Sequence, residues 1–109
     1  MMAPARRDTE RVTDILEAIA QIESWSPDEA PAGMYRAAVL HALMVIGEAA
    51  SRLSDEFRDA HPDIPWKDVV GQRVQLAHHY WDMQWARIER TVAEDLPTLR
   101  AALVRDGET

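Results

Sequence analysis

The chain has 109 residues, 47% of them hydrophobic, which suits one domain with one buried core and excludes disorder as the default. Its 12 basic and 19 acidic side chains give a formal charge of −7, the wrong sign for gripping nucleic acid by general electrostatics, so any such ligand needs a local basic site. Cysteine is absent, which excludes disulfides, zinc fingers, iron–sulfur ligation and thiol catalysis and fits a reducing cytoplasm.

Residues 1–8 and 105–109 are expected to be flexible ends of a single domain spanning 1–109. The polar start, up to Arg11, has no apolar stretch behind it that resembles a signal peptide. The first helix is predicted to start near Asp8 or Thr9, either of which can cap it, and to run to about Ser24. Val12, Ile15, Leu16, Ile19 and Ile22 recur every three or four residues as a buried stripe, with Arg11, Asp14, Glu17 and Gln21 opposite. Ser26-Pro27-Asp28 through Pro31 reads as a loop.

A second helix is predicted from about residue 32 to about residue 60, roughly 40 Å long at 1.5 Å per residue. Tyr35, Val39, Ala42, Ile46, Ala49, Leu53 and Phe57 form one face, and Leu40, Leu43, Gly47 and Ala50 widen it, so burial on more than one side is expected. The longest apolar run, around 39–50, is broken by His41, Gly47 and Glu48 and is too short and polar to span a bilayer. A soluble, cytoplasmic protein with no membrane partner is the expectation. His61-Pro62-Asp63-Ile64-Pro65 ends the helix.

A third helix should start near Pro65 or Trp66, with core positions at Val69, Val70, Leu76 and Ala77. A fourth should cover residues 83 to 103, broken or kinked at Leu96-Pro97. Alternation of period two never persists, so the fold is expected to be all-α, an antiparallel bundle of four to five helices.

Chemistry concentrates in Arg73-Val74-Gln75-Leu76-Ala77-His78-His79-Tyr80. Arg73 is a permanent cation and His78 titrates near neutrality. Metal-free RNA cleavage needs both: a base to take the ribose 2′-hydroxyl proton, and a cation to stabilise charge building on the phosphate. Five residues of ideal helix place Arg73 and His78 about 140° apart, so a working site requires the helix to loosen near His78 or a second copy of the segment to face it across a dimer. An arginine and a histidine at this spacing also occur by chance.

Three further stretches give that pair its context. Ile46-Gly47-Glu48-Ala49-Ala50 followed by Leu53-Ser54-Asp55-Glu56-Phe57, the run from His61 to Gly71, and Asp95-Leu96-Pro97 accompany the Arg73-x4-His78-x-Tyr80 pattern in order. Together they resemble the HEPN superfamily, and within it the HepT-like toxins that pair with a minimal nucleotidyltransferase antitoxin. The resemblance spans roughly Tyr35 to Leu99. It implies a helical homodimer, in some assemblies a larger hetero-oligomer with the antitoxin, in which two motif copies converge in a cleft. The implied activity is metal-independent endoribonuclease cleavage by 2′-hydroxyl attack, in a type VII-like toxin–antitoxin pair with no cofactor. Arg73 would hold the phosphate, His78 would move the proton, and Tyr80 would be the tyrosine silenced by AMP transfer. Bulky, negative groups beside the cleft would exclude RNA. The sequence departs from the family pattern at Val74, where a polar residue, often Asn, is usual. Two readings follow: an active enzyme in which another group such as His79 substitutes, or a weakened or inactive interaction module that still binds the nucleotidyltransferase. An unrelated acidic helical adaptor, suited to a basic protein partner, is the reading that net charge alone favours.

Glu48 lies in the most apolar part of the second helix and must be paired if buried. It either meets an arginine of a neighbouring helix or supports Arg73 or His78 from behind. His41 is expected to be structural, His61 a helix-end or turn residue, and His79 either solvent-facing or a supporting group. No spacing of the four histidines suits a metal. Trp66, Trp81 and Trp85 are expected in the core or a dimer contact rather than as base-stacking platforms, and the charges from Arg87 to Asp95 on a solvated face.

Overall fold

The structure is a computed structural model that describes residues 2–26, 28, 31–71 and 85–107, with side chains described at these positions except 2–6, 32 and 105–107. It is an all-α bundle. The elements are α1 (Met2–Ser24), α2 (Ala32–Ser51), α3 (Asp55–Asp59), α4 (66–71), α5 (Trp85–Arg90), a π-helical turn (Thr91–Asp95) and α6 (Leu96–Gly107). No strand occurs among the described residues.

The core forms where the apolar stripes meet. Ile15, Ile19 and Ile22 of α1 face Val39, Leu43 and Ile46 of α2, and Ile88 of α5 and Leu96, Leu99 and Leu103 of α6 close the bundle. Burying one such side chain is worth about 1.5–3 kcal/mol. The expected α1 stripe is therefore present, with only Leu16 partly exposed. Helix α2 is buried on both predicted faces: Leu43, Gly47 and Ala50 are as enclosed as Ala42, Ile46 and Ala49. On the surface, Arg100 of α6 pairs with Glu23 of α1.

Three helix limits differ from expectation. Helix α1 begins at Met2, several residues before its expected caps. Asp8 caps nothing in its own helix. It is buried, and its carboxylate accepts the Ser54 backbone N–H at 2.8 Å and the Ser54 hydroxyl at 2.6 Å, tying α1 to the far end of α2.

The single helix expected over 32–60 is two. Helix α2 stops at Ser51, where the Arg52 N–H closes back on the carbonyl of Ala49 and the Leu53 N–H on that of Ala50. Ser54 then takes extended angles and its hydroxyl accepts the Phe57 N–H at 3.1 Å, starting α3 with Asp55 and Glu56 in its positive first turn.

The discontinuity expected at Leu96-Pro97 falls one turn earlier. Pro97 has no N–H to offer the preceding turn, and the chain widens there: the Leu96 N–H bonds the carbonyl of Thr91, five residues back. Helix α6 then continues to Gly107 rather than ending at Leu103.

Candidate functional site

Arg73, Val74, His78, His79 and Tyr80 lie outside the described residues, as do Leu76, Ala77 and Trp81. What the structure describes is the scaffold on either side of this segment: the approach through α3 and α4, and the departure at Trp85.

The approach is built from side chains that fasten turns. The His61 ring stacks on Phe57, centroids 4.3 Å apart at 27°, and its Nδ1 lies 2.9 Å from the Phe57 carbonyl. Trp66 donates its indole N–H to the carbonyls of His61 at 3.0 Å and Arg58 at 3.2 Å, a second bond for two acceptors that already take the backbone N–H groups of Ile64 and His61. Trp66 also meets Phe57 edge to face at 6.2 Å. Between them Ile64 plugs into the core at 7% exposure. The Pro65 carbonyl accepts the N–H groups of Asp68 and Val69, which opens α4 where the sequence indicated. The half-buried Val69 and Val70 of α4 pack on the core. His61 and Trp66 thus have the turn and core roles expected of them.

At the far side, Trp85 opens α5. It is half-buried, meets Tyr35 of α2 edge to face with centroids 6.2 Å apart at 73°, and carries the guanidinium carbon of Arg36 at 4.9 Å from its ring centroid. The core reading of Trp85 fits its inner face. The sequence reading did not single out Arg36, because a contact between positions 36 and 85 leaves no local spacing to find.

Glu48 has a side chain that is 42% exposed and pairs at 2.9 Å with Arg52, one turn along the same chain segment; Arg73 and His78, which it is expected to support, lie outside the described residues. Glu48 lies beside the seam between α1 and α2, lining an open groove of about 390 Å³ with Arg11, Asp14, His41, Met44, Val45 and Ala49. His41 is exposed and lines this groove. Among the described residues, no group of three or more His, Asp or Glu side chains is placed to hold a metal ion. Nor is any helix there long and apolar enough to cross a membrane.

Comparison with known proteins covers the part of the chain that carries these features. Residues 12–105 match the family described as ribonuclease HepT-like. Among individual relatives, the "Probable ribonuclease HepT" of Thermococcus cleftensis is 33% identical over 100 residues, 87% of this chain and 91% of that protein. A "putative RNase" of Methanocaldococcus jannaschii is 39% identical over 67 residues, 62% of each chain, so the match spans less than two thirds of that relative. A "putative RNase" of Caldanaerobacter subterraneus subsp. tengcongensis is 37% identical over 62 residues, 57% of this chain and 55% of its own. No solved structure matches. With the all-α fold and most of its length matched, the chain belongs to the ribonuclease HepT-like family of the HEPN superfamily.

Proposed function

We propose that the chain is a metal-independent endoribonuclease toxin whose site forms where two copies of the chain meet. The observation that carries this reading is the Arg73-x4-His78-x-Tyr80 pattern lying inside the matched segment 12–105. In the reaction, His78 takes the proton of a ribose 2′-hydroxyl and the freed oxygen attacks the adjacent phosphorus. The bond to the 5′-oxygen breaks and that oxygen takes up a proton, leaving a 2′,3′-cyclic phosphate and a 5′-hydroxyl end. Arg73 offers two parallel N–H donors to the phosphate oxygens as negative charge gathers on them. Because an ideal helix holds Arg73 and His78 about 140° apart, the pair that acts on one phosphate comes from two facing motifs. A minimal nucleotidyltransferase antitoxin restrains the enzyme in the cytoplasm by attaching AMP to Tyr80, and the two proteins form a hetero-oligomer.

Val74 supports a second reading, a weakened or inactive member that binds the same partner without cutting RNA. One assay separates the two. The purified chain is expected to cut RNA in the presence of a chelator, and Arg73→Ala or His78→Ala should each slow cutting by about 10²- to 10⁴-fold. An inert wild-type chain that still captures the nucleotidyltransferase supports the second reading; undiminished cutting by both variants ends the assignment of these residues.

A further inference from the structure

We propose that Arg36, held over the ring of Trp85, is a second contact for the RNA backbone, outside the Arg73–His78 motif; this rests on the ribonuclease reading above. A chain with a formal charge of −7 can approach RNA only where its cations are left uncancelled. Most described arginines are cancelled. Arg11 is paired with Asp14, Arg52 with Glu48, Arg58 with Asp55, Arg90 with Glu94 and Arg100 with Glu23.

Arg36 differs. It is exposed, and its partner is the Trp85 ring at 4.9 Å, with no carboxylate in ion-pairing reach among the described residues. A ring attracts a cation without removing its charge, and presents no carboxylate oxygen to compete for the guanidinium N–H donors. Contact with the ring also narrows the side chain's freedom in advance, so less is lost when a phosphate arrives. The support beneath is itself fixed, since Trp85 is half-buried against Tyr35, the neighbour of Arg36 on α2. Arg7, Lys67 and Arg87 also lack a carboxylate partner among the described residues, but none is held by a ring there.

Position completes the argument. Trp85 is the first described residue after 72–84 and stands five residues beyond Tyr80. Arg36 therefore sits on the residue at which the described chain resumes after the motif, close in sequence to Tyr80.

The test is binding of the full chain to a short 2′-O-methyl single-stranded RNA, which 2′-hydroxyl attack cannot cut, over a series of salt concentrations. Arg36→Ala is expected to weaken binding roughly tenfold at low salt. It should also flatten the slope of log affinity against log salt by about 0.7, the value for one phosphate contact on a single strand. Arg36→Lys should keep the slope, because it keeps the charge. Circular dichroism verifies that each variant is folded. An unchanged slope in folded Arg36→Ala overturns this assignment and leaves the nuclease reading standing; no RNA binding by the wild-type chain overturns both.

Discussion

Both carboxylate oxygens of Asp8 are engaged by Ser54, one by its backbone N–H and one by its hydroxyl, at a residue only 8% exposed. Burial of a carboxylate is tolerated on those terms, because charge-assisted hydrogen bonds replace the water it gives up. The same hydroxyl accepts the Phe57 N–H, so Ser54 donates to α1 and caps α3 at once. Removing the carboxylate strands the Ser54 N–H in a half-buried turn. Asp8→Ala is expected to lower stability by about 2–3 kcal/mol in urea unfolding. Ser54→Ala should lose part of the same contact, so a double-mutant cycle should give a coupling of about 1 kcal/mol or more. Strict additivity would mean that the two side chains do not support each other.

At the scale of elements, α2 and α3 show what a residue pattern conveys and where it stops. The apolar positions Val39, Ala42, Ile46, Ala49 and Leu53 run in helical register straight up to the break, so periodicity alone predicts one helix through it. The signal that outweighs it is local: a serine followed by Asp55 and Glu56 makes a better helix start than a helix middle, since its hydroxyl competes for a backbone N–H. The cap predicts its own measurement. In Ser54→Ala the Phe57 amide should exchange with solvent about tenfold faster, while amides in the middle of α2 change little. Uniform acceleration along both helices would instead mark global destabilisation. The π-helical turn was partly legible. Pro97 announced a disruption, but its place one turn upstream depends on how Ile88 and Leu96 both reach the core, which is a tertiary requirement. The role of Asp8 was not legible at all, because Asp8 and Ser54 are 46 positions apart.

At the scale of the whole molecule, the family was legible in ordered motifs, whereas the site is the least legible part, for a geometric reason. A single chain's spacing relates residues on one helix, and an ideal helix would point positions 73 and 78 about 140° apart. A site shared between copies has no spacing in either. It can still be tested, because two-fold symmetry makes a numerical demand. Arg73→Ala and His78→Ala chains, each inactive alone, are mixed and allowed to exchange subunits. If every site takes its arginine from one copy and its histidine from the other, half of the random dimers are mixed and each mixed dimer keeps one of its two sites. Activity should therefore return to roughly a quarter of the wild-type value. If each copy holds a complete site of its own, every site in every dimer lacks one group and the mixture stays inert. Light scattering on the same samples checks that dimers are present, so silence from an exchanged dimer would place both groups in one subunit and require the helix to loosen between them.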